Sequence, residues 1–213
     1  MGTDIHVCVE KKTSEGWEVV KGENPYYTPD SKHENNKYCY EGWLYNSRNY
    51  DLFGMLANIR NGSGFAGCDT GEGFKPISNP KGLPKDISEE LKNHFDSAYY
   101  HSLSWLTLKE LKEYDWSQTT KKRGYIPEED YEDYKEAGRP VKGYSGGVAG
   151  QRIITVTEEE YENLENKEED KKYYIQVEWE VTYEESAKYF IEEVIPELEE
   201  IGPPVRIVFG FDN

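Results

Sequence analysis

From Tyr173 to Thr182 the chain alternates without a break. Tyr173, Ile175, Val177, Trp179 and Val181 fall on one side, and Tyr174, Gln176, Glu178, Glu180 and Thr182 on the other. A period of two is the signature of extended chain, so this stretch is a β-strand whose apolar face must be covered. The period then changes. Ala187, Phe190, Ile191, Val194, Ile195 and Leu198 recur at helical spacing, with Pro196 the place for a kink. Pro203-Pro204 resets the chain for a last strand, VRIVFGFDN, with Ile207, Phe209 and Phe211 on one face and Arg206 and Asp212 on the other. The chain opens in the same way, Ile5, Val7 and Val9 alternating with Asp4, His6, Cys8 and Glu10, which predicts a strand with one buried face. Gly16 turns it into Trp17–Val20, a hairpin partner. Strands at both ends and a strand, helix, strand run at the close predict an α+β (mixed) fold: an antiparallel or mixed sheet with a few packed helices and long loops. If the first and last strands pair, polar side chains from both chain ends meet on one face of the sheet. A chain of 213 residues is read as a single domain over 1–213.

Between these ends lies the stretch that the rest is expected to serve, RNYDLFGMLANIRNGSGFAGCDTGEGF, from Arg48 to Phe74. Leu52, Phe53, Leu56, Ala57 and Arg60 follow at helical spacing, so a helix is expected to run to Asn61 and stop on a glycine. The glycines at 62, 64, 67, 71 and 73 carry Cys68, Asp69, Thr70 and Glu72. Such a run either lets backbone N–H groups approach a bound group or permits tight turns. Residues 22–47, rich in Tyr and Asn, read as a loop with short strands near Tyr38–Leu44. Ser88 caps one short helix, Thr107 and Glu110 have capping-box spacing for a second, and Thr157 caps an acidic third. Residues 117–151, with charge, Pro140 and the glycines 143, 146, 147 and 150, read as a loop-rich segment or a flap.

The formal charge is −17. That argues against sequence-independent nucleic-acid binding, which needs a basic footprint, and disfavours an anionic membrane surface. An acidic face serves solubility or mimics nucleic acid. No apolar run approaches the ~20 residues of a spanning helix, and the first residues lack a signal-peptide pattern. The three cysteines, at 8, 39 and 68, have no CxxC spacing, so reduced thiols in a cytoplasmic protein are expected.

Three groups of residues can carry chemistry. Asp4 and His6 lie on one side of a strand, where carboxylate and imidazole can converge on a divalent metal, and Asp212 can add a further carboxylate. His101, in the segment YYHSLSW, and Asp69 are candidates for a base or for catalysis through a metal-bound water. The four histidines, 6, 33, 94 and 101, lack HxH or HExxH spacing, so the alternative for Asp4 and His6 is a hydrogen-bonded strand face. Arginine is scarce, six residues, and is the side chain for bidentate recognition of phosphate. Arg48, with Asn49, Tyr50 and Asp51 after it, heads the central helix, and Arg206 lies on the last strand. Arg60 either meets a ligand or complements the helix dipole. Ser102 and Trp105, with the other aromatics nearby, complete a binding set: arginines for phosphate, rings for a base, and Asp, His and Ser groups for ribose.

Asp-x-His on a first strand also opens the calcineurin-like metallophosphoesterases. Their later GDxxDR, GNHD/E and GHTH motifs are absent here, and the likeness ends there. MGTDIHVCVE, the block from Arg48 to Phe74 followed by PISNPKGLP, HSLSW and VRIVFGFDN together resemble a set of small phage-borne and bacterial proteins of about this length. The resemblance leaves 15–45 and 117–175 uncovered and implies a setting, not a mechanism. A phage setting points to counter-defence, by analogy with viral sponge proteins that sequester nucleotide immune signals. The expected function is therefore binding of a small nucleotide-like molecule. One alternative is a metal-dependent phosphodiesterase or nucleotide hydrolase, and another is an acidic interaction or DNA-mimic protein. The reading leaves room for a homo-oligomer.

Overall fold

A computed structural model describes residues 2–29 and 36–212. His33 lies outside the described residues. In chain order the elements are β1 (Ile5–Lys12), β2 (Trp17–Val20), β3 (Gly22–Glu23), β4 (Tyr38–Cys39), α1 (Tyr50–Ala57), α2 (Glu89–Phe95), β5 (His101–Thr107), α3 (Leu108–Glu113), β6 (Thr119–Pro127), α4 (Tyr131–Ala137), β7 (Ile153–Thr157), α5 (Glu158–Glu162), β8 (Lys172–Thr182), α6 (Tyr183–Ser186), α7 (Ile195–Ile201) and β9 (Val205–Phe211). This is an α+β fold.

A four-stranded antiparallel sheet runs β2-β1-β9-β5, and a three-stranded mixed sheet runs β6-β8-β7, with β7 parallel to β8. The two chain ends pair with each other: Ile5 stands opposite Phe211 and Val9 opposite Ile207. Ile5, Val7, Val9, Ile207, Phe209 and Phe211 face one continuous core with α1, α3, α7 and the apolar face of β8. Phe53 of α1 meets Phe211 edge-on at 5.2 Å.

β1 and β9 depart from the expectation of a single buried face. Cys8 and Glu10 are fully buried, as is every residue of β9. The second face is covered by α2 and the segment around Tyr40, where Cys8, Leu91, Phe95 and Val208 form a smaller cluster with Tyr100, Leu103 and Trp105. A central strand capped on both sides cannot keep the polar alternation of a half-exposed one.

Three further differences have local causes. α1 ends at Ala57 rather than Asn61, because Asn58 takes the left-handed conformation (φ 59°) and donates its N–H to Gly54 O at 2.9 Å. Segment 117–151, read as loop, holds β6 and α4 in its first half, with Tyr125 bridged to Ser145 in the second. The Lys121-Lys122-Arg123 run hides the strand pattern; pairing on β8 makes it a strand, with Asp51 on Lys122 and with Asp69 and Glu178 on Arg123. Finally, the expected kink at Pro196 takes the form of a π-helical turn over Phe190–Val194, with the proline in the first turn of α7. Proline has no N–H for the preceding turn, and a π turn absorbs the mismatch.

The capping box of α3 is formed: Glu110 N–H donates to Thr107 Oγ1 (3.1 Å), and Thr107 N–H to Glu110 Oε2 (2.8 Å). Thr107→Ala should lower unfolding free energy by about 1 kcal/mol in a urea titration. No change would mean that packing of Leu108 and Leu111 holds the helix without its cap.

Candidate functional site

The central stretch lines a cleft of about 680 Å³ from two sides, the head of α1 and the glycine-rich loop. Asn49 caps α1, accepting Leu52 N–H at 3.1 Å while its own amide donates to Ser186 O at 2.8 Å. This fixes the turn that presents Arg48, Asn49, Tyr50 and Asp51 to the cleft. The opposite wall is the glycine-rich loop, through Gly64, Phe65, Cys68 and Thr70, and a third side is Tyr144–Gly147.

That loop is anchored on the protein itself. The Asn61 side chain receives Phe74 N–H and donates to Phe74 O, both at 2.6 Å, closing residues 62–73 into a ring. Gly73 (φ 78°) has to be glycine, since a Cβ there would lie 2.5 Å from Asn61 Oδ1. The far side of the loop joins the edge of β6, with Glu72 N–H on Lys121 O and Arg123 N–H on Thr70 O, each 3.0 Å. Of the two readings of the glycines, the tight turn accounts for this part of the run, and Gly64 remains at the cleft wall.

Two cations reach the cleft, each already held by an acid. Arg48 grips Asp4 in a bidentate pair, Nε–Oδ1 2.8 Å and Nη2–Oδ2 2.6 Å, with both side chains about half exposed. Lys122 of β6 lies 2.5 Å from Asp51 Oδ2 and is largely buried. Burial works against its ammonium, but Asp51 and Tyr144 hold it above the usual lysine value. Rings surround these charges: Tyr45, Tyr50, Phe65, Tyr144 and Tyr189 line the cleft, and Phe65 and Tyr189 are 61% and 58% exposed. A cleft of this volume with cations, hydroxyls and exposed rings suits a drug-sized polar aromatic molecule.

The other expected residues lie elsewhere. Asp69 turns away from the cleft, accepting Gly71 N–H at 2.9 Å and pairing with Arg123. The Gly71 amide and Arg123 hold its carboxyl below the usual range. Arg60, three residues past the helix end, donates to Thr3 Oγ1 at 3.0 Å and so serves neither the dipole nor this cleft. Arg206 is buried against Glu10 and Asp86, which makes it part of the fold rather than a ligand group. Trp105 packs in the smaller cluster, with Lys81 Nζ 4.0 Å from its ring centre.

The metal set expected of Asp4, His6 and Asp212 assembles only in part, and His101 lies apart from it. Asp4 is committed to Arg48, and His101 stacks on Phe211 of the main core (6.2 Å), bonded to Ser102 Oγ (3.0 Å) and Asp212 O (3.3 Å). A β-bulge between His101 and Ser104, with Ser102 at φ 51°, turns His101 to that face. His6 stays on the other face with Asp212, one of its expected partners, and with Glu41 and His94, which the sequence pattern does not pair with it. There its Nδ1 meets Glu41 Oε1 at 2.8 Å, and His94 Nε2 meets Glu41 Oε2 at 2.5 Å. Asp212 Oδ2 lies 3.4 Å from His6 Nε2 and accepts the Tyr99 hydroxyl. Burial alone would raise the Glu41 carboxyl; bonds from His6 and His94 pull it down to about 2. Glu41 in turn raises His6 above its ordinary value.

The cleft and the histidine cluster are thus separate places, joined by one thread: Arg48 holds the Asp4 carboxylate, Asp4 N–H donates to Asp212 Oδ1 (2.9 Å), and Asp212 faces His6. Among the described residues no helix is long and apolar enough to cross a membrane. Comparison of this chain with protein-family models, with curated proteins and with solved structures finds no match to any of them.

Proposed function

We propose that the chain binds a small nucleotide-like anion in the cleft between α1 and the glycine-rich loop, and holds it without altering it. The observation that carries this reading is the convergence of Arg48, Lys122 and the exposed rings of Phe65, Tyr144 and Tyr189 on one cleft. The Arg48 fork already matches a carboxylate in bidentate fashion, the geometry a phosphate takes. In a chain of charge −17, an incoming anion gains by competing with Asp4 and Asp51 for these two cations. Sequestration of a host immune signal by a phage protein is the biological form of this proposal, and it rests on the resemblance of the four sequence blocks.

Equilibrium dialysis against mononucleotides, cyclic dinucleotides and cyclic ADP-ribose isomers, with mass spectrometry of the released ligand, tests it. One class should bind and return intact. Phe65→Ala and Tyr144→Ala, which remove exposed rings, should each weaken binding by about tenfold or more, since stacking on a base contributes roughly 1–3 kcal/mol. Consumption of the ligand that stops with chelator would replace this reading with metal-assisted phosphodiester hydrolysis, which the histidine cluster favours. No binding across the panel would leave the acidic interaction protein.

A further inference from the structure

We propose that Cys8, Glu41 and His94 form a binding site for one divalent transition metal of the zinc class, oriented by His6. The site lies on the α2 side of the four-stranded sheet and stands independently of the cleft. Its ligand atoms, one from each residue, all lie within 4.8 Å of one another. They come from three elements that only the fold brings together: Cys8 from β1, Glu41 from the segment bridged to Cys8, and His94 from the last turn of α2. Relaxed zinc bonds of about 2.0–2.3 Å to N, O and S place ligand atoms somewhat over 3 Å apart, so the three need only small rotations to share an ion.

The donor set is selective. A thiolate, an imidazole and a carboxylate together suit a borderline-soft ion, whereas calcium or magnesium would take oxygen ligands. Cys8 is fully buried while Glu41 and His94 are 29% and 15% exposed at the side chain, so the locus is enclosed at the sheet and reachable from outside. Leu91, Phe95 and Val208 around Cys8 make it an apolar floor, where charge–charge attraction is strong. The hydroxyl of Tyr100 stands 3.1 Å from His94 Nε2 and 3.2 Å from Glu41 Oε2, beside the position a fourth ligand would take. Cys39, whose thiol donates to Glu41 O at 3.2 Å, is the nearby second sulfur.

His6 is a positioning residue in this assignment. Its Nδ1 engages Glu41 Oε1, leaving Oε2 toward His94, and Asp212 backs the imidazole from the other side. A carboxylate ligand braced by an outer histidine is the arrangement that tunes metal sites, and its loss typically costs 10–100-fold in affinity.

The test uses the full chain, stripped with a strong chelator, checked for folding by circular dichroism, and titrated with Zn²⁺ against a chromophoric competitor and with Co²⁺ by absorbance. One equivalent of Zn²⁺ should bind, and Co²⁺ should show a thiolate charge-transfer band with intense tetrahedral visible bands. Cys8→Ser should remove the charge-transfer band. His94→Ala, a change on α2 outside the sheet, should abolish stoichiometric binding in protein that remains folded. His6→Ala should keep the band and weaken affinity by roughly 10–100-fold. Folded wild-type protein that takes up no equivalent of either ion overturns the proposal, as does binding unchanged in folded His94→Ala. A band that survives in folded Cys8→Ser also overturns it.

Discussion

Arg206→Ala is expected to cost about 3–5 kcal/mol of unfolding free energy, the range for removing one partner of a buried ion pair. Arg206 and Glu10 are 2% and 0% exposed, in register on β9 and β1, with Nε and Nη2 at 2.8 and 2.7 Å from Glu10 Oε2. The third guanidinium nitrogen, Nη1, reaches Asp86 Oδ1 at 2.8 Å, and the Trp17 ring covers the group at 3.9 Å. The other Glu10 oxygen accepts Ser88 N–H at 2.8 Å, just ahead of α2. Truncation therefore leaves a buried carboxylate with one backbone partner and loosens the helix that covers the second face of the sheet. Urea denaturation measures the loss. The double variant Glu10→Leu with Arg206→Met should recover most of it, because the penalty comes from the orphaned charge and not from the absence of the pair. A loss below about 1 kcal/mol in Arg206→Ala would show that Glu10 finds water or another donor.

The same pair explains where sequence reading of the fold stops. The strands at 173–182 and at the two chain ends were legible because alternation reports a face directly. What alternation cannot report is a cover on the polar face. Glu10 reads as part of a polar strand face and Arg206 as a group for a ligand, and their mutual bond, with Asp86 and the Ser88 N–H, lets both be buried beneath α2. β5 was illegible as a strand because the bulge at Ser102 breaks its period, and β6 because three consecutive cations mask it.

The candidate site was half legible. Arg48 to Asp51 and the glycine-rich block reach the cleft they were expected to serve. Lys122, Tyr144 and Gly146–Gly147 come from a segment that carried no signal except glycine and charge, and their role appears only when β6 docks beside the loop. His94 and Glu41 are separated by 53 positions and share no local motif, so nothing short of the packed sheet, loop and α2 could assemble them. His101 carried the stronger sequence context and lies on the opposite face.

Asn61→Ala should lower stability by roughly 2–4 kcal/mol and abolish ligand binding in the cleft, through one side chain that no ligand need touch. Phe74 is only 6% exposed, and its N–H and C=O are both bonded to the Asn61 amide, so truncation orphans a buried donor and a buried acceptor at about 1–3 kcal/mol each. The amide sits where a Cβ on Gly54 would come within 2.7 Å, so the space it leaves lies between α1 and the loop. With the ring unclosed, residues 62–73 keep their bonds to β6 and their internal turns but lose the anchor at their base, and Phe65 and Cys68 lose their place on the cleft wall. Limited proteolysis near the exposed Phe65 should accelerate along with the drop in urea midpoint. Asn61→Asp keeps the acceptor for Phe74 N–H but places a carboxylate against Phe74 O, so it should be no less damaging than alanine. Asn61→Gln shifts the amide by one methylene into Gly54 and should not rescue. If Asn61→Ala unfolds at the wild-type midpoint and is cut no faster, the β6 bonds hold the loop by themselves and the cleft is preformed without this anchor.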